Sequence, residues 1–154
     1  MTLGVPLNGY AFGSHAERLL HHDEPLSDGV RARLGSLPES AHGGTNLTAA
    51  LELVASDVGG SPFQVRFVFV ISDGEPDDAE SARQQMAWLA ADAVVLIGLG
   101  LGPATLRLQE LFPVSRVNLD AAEVPTALAT LLLRALRPAG SRPHALDASQ
   151  ATLP

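Results

Sequence analysis

The chain has 154 residues, the size of one domain, and 46% of them are apolar, enough to bury a core; with only 5% aromatics that core must be built from Leu, Val, Ala and Ile. A formal net charge of -7 repels phosphate backbones and sets nucleic acid aside as a partner. The sequence has no Cys, which excludes disulfides, thiolate catalysis and Cys-ligated zinc, and no apolar run reaches the roughly 20 residues of a membrane span.

The elements follow in chain order. Val5–Phe12, then Gly13-Ser14, then His15–Leu20 read as a hairpin or two adjacent strands. Nothing there has the basic-then-apolar pattern of a signal peptide. Ser27–Leu37 is a short helix. Gly43-Gly44-Thr45-Asn46 leads into a helix with the stripe Leu47, Ala50, Leu51, Val54 and Val58, and Thr45 or Asn46 can cap it. Val65–Ile71 is a nearly continuous apolar run, as expected of a parallel strand covered on both faces. A helix over Asp78–Ala91 places Ala79, Ala82, Met86, Leu89 and Ala90 on one stripe. Asp77 and Glu80 stand at the spacing of a capping box. Ala93–Leu99 is the second buried strand and Arg116–Leu119 a shorter third. Val124–Leu136 is the last helix, with Pro125 in its first turn. Residues 138–154 are rich in Pro, Ala and Ser, show no period, and read as a flexible tail. Alternating helix and buried strand implies a doubly wound α/β layer fold, with a mostly parallel sheet and helices on both faces.

The chemistry gathers where the first buried strand ends. Asp73, Glu75, Asp77, Asp78 and Glu80 fall close together just beyond it. In open α/β sheets ligands bind beyond the carboxyl ends of the strands, and Asp73-Gly74 sits there, the glycine permitting close approach. Asp77, Asp78 and Glu80 are better explained as acids favoured at a helix N-terminus. Thr45, on its glycine-flanked loop, offers a hydroxyl. Other motifs carry less. Gly98-Leu-Gly100-Leu-Gly102-Pro103 puts Pro where the dinucleotide fingerprint needs its third glycine, so it reads as a tight strand exit. His21-His22-Asp23 reads as an exposed polar loop. No G-x-S-x-G nucleophile elbow is present.

Taken together, "GGTNLTAALELV" and "FVFVISDGEPDD", in that order, resemble a von Willebrand factor A domain. "GYAFGS" at Gly9–Ser14 is similar to that family's second strand. The stretch from "VVLIGLGLG" to "LLLRAL" is similar to its end, so the resemblance covers residues 5–137. Among members it looks closest to bacterial intracellular ones, of the cobaltochelatase-subunit and nitric oxide reductase activation types. The resemblance implies a cytoplasmic, non-catalytic protein-interaction module with a metal ion-dependent adhesion site for Mg²⁺. In that site Thr45 matches the Thr of the second loop and Asp73 the Asp of the third. Mg²⁺ takes oxygen ligands, few of them carboxylates, and keeps several waters. The first loop's Asp-x-Ser-x-Ser does not precede Gly9; the near match Asp147-Ala-Ser149-Gln-Ala151 lies in the tail and lacks the second Ser. The expectation is therefore a domain truncated before its first strand, with a degenerate site that binds Mg²⁺ weakly or not at all alone. The expected partner is an AAA+ ATPase or a chain that supplies the missing strand. The contrasting reading is a Mg²⁺-dependent phosphoryl-transfer enzyme with Asp73 as nucleophile. Phosphatases of the haloacid dehalogenase type need Asp-x-Asp and a Lys, whereas this chain has Asp73-Gly-Glu75 and no Lys.

Overall fold

A computed structural model describes residues 6–25, 27–36 and 43–136. Strands β1 (Gly9–Phe12) and β2 (Ala16–Leu20) form an antiparallel hairpin. Two helices follow, α1 (Asp28–Gly35) and α2 (Leu47–Val58). Then come β3 (Arg66–Ser72), α3 (Ala79–Ala91), β4 (Val94–Leu101), the single turn α4 (Leu108–Leu111), β5 (Val114–Leu119) and α5 (Val124–Leu136). β3, β4 and β5 make a parallel sheet in that order, with Arg66 opposite Val94 and Ser72 opposite Gly100. The architecture is the doubly wound α/β arrangement expected from the alternation of helix and strand. The tail at 138–154, with Asp147 and Ser149, lies outside the described residues, as do Val5 and Leu37.

Two apolar cores sit on the two faces of the sheet. On one, Leu47, Leu51 and Val54 of α2 and Ala82, Met86 and Leu89 of α3 pack against Val70, Val94 and Leu96. The 3.6-residue period of both helices supplies these stripes, although Ala90, expected on the α3 stripe, is exposed. On the other face Ala127 and Leu131 of α5 close over Ile97, Leu99 and Leu119. β4, in the middle, is covered on both sides. β3 is not: Val70 is buried, but Phe69 and Ile71 are 37% and 45% exposed. The continuous apolar run predicts burial on both faces, and that expectation fails for β3 because it is the edge of its sheet and α5 packs on β4 and β5.

Several boundaries move for identifiable reasons. Ser27 caps α1 by accepting the Val30 N–H at 3.3 Å, so it precedes the helix instead of opening it. β3 begins at Arg66, whose guanidinium donates to the Val58 carbonyl at 3.0 Å and pairs with the Asp92 carboxylate at 3.1 Å. These contacts tie the start of β3 to the ends of α2 and α3. Gly98 and Gly100 are not a strand exit but lie inside β4. A methyl at Gly98 would stand 2.6 Å from Cγ of the buried Phe112, and one at Gly100 would collide with Thr105. They are glycines because α4 and its flanks press directly on the strand; the exit itself is Gly102, at φ +71. The 3₁₀ turn Ala121–Glu123 and α4 are too short to leave a periodic signal.

The hairpin is fastened to α2 by side chains. The Tyr10 hydroxyl and the Arg18 guanidinium both donate to the Asp57 carboxylate. Burial, and then the bond to Asp57, push the Tyr10 phenol well above its ordinary range.

Candidate functional site

Three loops meet at the carboxyl ends of β1 and β3: Gly13–Ser14 after β1, Gly43–Asn46 before α2, and Asp73–Asp78 after β3. Each is held by bonds that its sequence provides. Asn46 is the N-cap of α2: its side-chain oxygen accepts the Ala49 N–H at 3.0 Å, and its own N–H donates to the Gly13 carbonyl at 2.7 Å. Capping by Asn46 matters because it leaves the Thr45 hydroxyl without a hydrogen bond among the described residues. Ser72, at the end of β3, is buried and its hydroxyl donates to the Gly74 carbonyl at 2.9 Å, fixing the turn. A methyl at Gly74 would stand 2.8 Å from Thr45 Oγ1. Only glycine lets the Thr45 hydroxyl approach the turn that carries Asp73. Thr45 is thus set beside Gly74, the residue that follows Asp73 in the turn.

The acidic cluster divides residue by residue. Glu75 pairs with Arg107, from the loop before α4, at 3.3 Å. Asp77 does not start the next helix, as expected from the sequence, and no capping box joins it to Glu80. Its carboxylate accepts the Thr45 N–H at 2.8 Å, and its own N–H donates to the Thr45 carbonyl at 3.1 Å. The physical reason is the turn at Ser72–Gly74, which swings residue 77 back over the Gly43–Asn46 loop; a methyl on Gly44 would collide with its carboxylate. Asp78 is the N-cap of α3. It accepts the Ser81 N–H at 3.0 Å and the Ser81 hydroxyl at 2.6 Å, and these bonds hold its carboxyl below the usual range. Glu80 pairs with Arg83 at 2.6 Å. That leaves Asp73, exposed at the strand end, as the one acid of the cluster whose carboxylate no hydrogen bond or ion pair holds among the described residues.

Asp77 is the residue that sequence reasoning assigned to the wrong task. The signal that finds it is the glycine pair itself: Gly44 is required where a carboxylate from another loop seats against the backbone.

Thr45 and Asp73 supply one hydroxyl and one carboxylate oxygen donor. Among the described residues no group of three or more His, Asp or Glu side chains converges. Such a donor set suits a hydrated Mg²⁺ held through one carboxylate, with its remaining positions filled by water or by a partner's oxygens. It falls short of a closed, all-protein site. The other candidates resolve locally. His21 bonds to Asp23 and lies against His22 with ring centroids 4.3 Å apart and the rings tilted by 42°, on an exposed loop. A shallow groove between α2 and α3, lined by Glu52, Ala55, Gln84, Gln85 and Trp88, shares no residue with the three loops.

No family model matches the sequence, and no curated protein matches it. Among solved structures the chain is similar to manganese-loaded TRAP protein from Plasmodium vivax, with a TM-score of 0.64 and 20% identity. The match covers 84% of this chain and 58% of that one, so the chain spans little more than half of its neighbour. The likeness is one of fold: a mixed α/β architecture with a parallel sheet flanked by helices, consistent with a von Willebrand factor A-like arrangement.

Proposed function

We propose that the chain is a non-catalytic protein-interaction module of the von Willebrand factor A type, with a partial metal ion-dependent adhesion site formed by Thr45 and Asp73. The observation that carries this reading is the approach of the Thr45 hydroxyl to the Gly74 turn beside an exposed, unengaged Asp73 carboxylate. The fold supports it, since ligands of open α/β sheets bind beyond the carboxyl ends of the strands, and the similar Plasmodium structure is manganese-loaded. When bound, the cation would supply open coordination positions for a partner's carboxylate. Thr45 and Asp73 would hold it, Asp77 would orient the Thr45 loop, and Gly74 would keep the approach open. On this reading the protein works in the cytoplasm as an accessory subunit, and its partner is an AAA+ ATPase of the kind that serves metallocofactor assembly.

The contrasting phosphoryl-transfer reading needs a second acid and a cation near Asp73. Glu75 is engaged by Arg107 instead. An assay with a generic aryl phosphate and Mg²⁺ separates the two. The module gives no turnover above background; turnover abolished by Asp73→Asn would replace it with an enzyme.

A further inference from the structure

Helices α2 and α3 pack on one face of the sheet, and their apolar stripes meet in the same core. Between their outward flanks lies a groove of about 400 Å³. Glu52 and Ala55, three apart on α2, line one wall; Gln84, Gln85 and Trp88, at helical spacing on α3, line the other. Ala55 rests on the core beneath, and its methyl adds little height to its wall.

Three observations give this groove a chemistry. Trp88 is the chain's sole tryptophan and is 52% exposed, so a large aromatic face stands open to a ligand. Glu52 is exposed and joins no ion pair among the described residues. No basic residue lines the groove to neutralise it: Arg83 of α3 is engaged by Glu80, and Arg66 by Asp92. Gln84 and Gln85 add two side-chain amides whose oxygens accept hydrogen bonds.

An indole face, a carboxylate without a counter-charge and two amide oxygens together match a guanidinium. That group is planar, stacks on aromatic faces, is always charged, and presents five N–H donors in a fork that fits a carboxylate. An ammonium uses the charge but not the fork or the stacking, and a quaternary ammonium needs a cage of aromatics where only one stands. Anions are repelled by Glu52. An apolar helix would strip water from Glu52 and both amides without replacing their hydrogen bonds. A neutral sugar stacks on Trp88 but leaves the charge of Glu52 unused. A second copy of this chain brings its own net charge of -7, whereas a basic partner is drawn in by it.

We propose that the groove between α2 and α3 docks an arginine side chain carried on a basic segment of a partner protein. The guanidinium lies on the Trp88 ring, forks to the Glu52 carboxylate and donates to the Gln84 and Gln85 side-chain oxygens. The groove shares no residue with the loops of Thr45 and Asp73, so this docking holds whether or not those residues bind a cation.

Because Trp88 is the sole tryptophan, its fluorescence reports on the groove alone. The test titrates the full chain with the blocked peptide Gly-Ser-Arg-Ser-Gly. A saturable fluorescence change with a Kd of about 1 mM is expected. In proton–nitrogen NMR spectra the Trp88 indole and the Gln84 and Gln85 side-chain amides should shift together along the same curve. Citrulline in place of the peptide's arginine keeps the shape without the charge and should weaken binding about fivefold or more; lysine should weaken it about threefold. Glu52→Gln should weaken it about fivefold, while Asp28→Asn, the same loss of charge on the exposed start of α1, should leave it unchanged. Circular dichroism checks that both variants fold, as expected for exposed helix positions. Four results overturn the proposal: no saturation, equal binding of the citrulline peptide, equal weakening by Glu52→Gln and Asp28→Asn, or a stronger response to maltotriose, which assigns the groove to a sugar.

Discussion

Removing the Asp77 side chain tests how the site is held. In Asp77→Ala the Thr45 N–H loses its acceptor at 2.8 Å, while the reciprocal bond from the residue 77 N–H to the Thr45 carbonyl at 3.1 Å remains. A hydrogen bond to a charged group contributes about 1.5–3 kcal/mol, and exposure of this one lets water replace part of it, which brings the expected loss to about 1 kcal/mol. In a domain of this length that is a fall in Tm of about 3 °C. Asp77→Asn keeps an oxygen acceptor and should recover about half of the loss. Asp73→Ala is the internal comparison. Its carboxylate has no partner among the described residues, so its removal should move stability by less than about 0.5 kcal/mol. Urea unfolding followed by far-ultraviolet circular dichroism gives the stabilities, and amide exchange at Thr45 gives the local effect. If Asp77→Ala and Asp73→Ala are equally mild and Thr45 exchange does not change, the clamp between the two loops is not holding them.

Three further outcomes follow from the packing and the titrating groups. Gly98→Ala forces a methyl to within 2.6 Å of Phe112 and should cost about 1–3 kcal/mol in urea unfolding, with Phe112→Leu in the same background restoring part of it. Tyr10 is the sole tyrosine, so alkaline titration of tyrosinate absorbance reports it alone. Its pKa is raised in the folded state, so its contribution to stability is complete below the unfolded value of about 10 and is lost as pH rises beyond it. The native titration should lie well above that of the urea-unfolded chain. Asp78 has the opposite sign: its pKa is lowered by Ser81, so its capping contribution is present above the unfolded value and is lost as pH falls through the folded one. Carbon-detected NMR should show the Asp78 carboxyl titrating below a random-coil Asp, and Ser81→Ala should move it back up.

Much of the fold could be read from periodicity. The stripe of α2 is long enough to define both helix and face, and β4 is a buried parallel strand as its run of apolar residues indicates. The same kind of run misleads at β3, because hydrophobicity reports that a strand wants cover without saying whether this chain provides it. Glycines were ambiguous for a related reason. Gly98 and Gly100 are set by Phe112 and Thr105, partners distant in sequence, and no local pattern reveals such contacts. At the candidate site, Thr45 and Asp73 are proposed by resemblance, and the structure adds that Thr45 Oγ1 lies against the Gly74 turn. Asp77 was not legible, because its partner is 32 residues away and its spacing to Glu80 imitates a capping box.

The central claim is a binding module with a partial cation site, and isothermal titration of the full chain with Mg²⁺ tests it most directly. A two-donor site formed by Thr45 and Asp73 predicts at most weak, non-saturating heat, further reduced in Asp73→Ala. A tight, saturable Mg²⁺ site abolished by Asp73→Ala would contradict it, showing that the chain completes the coordination sphere by itself.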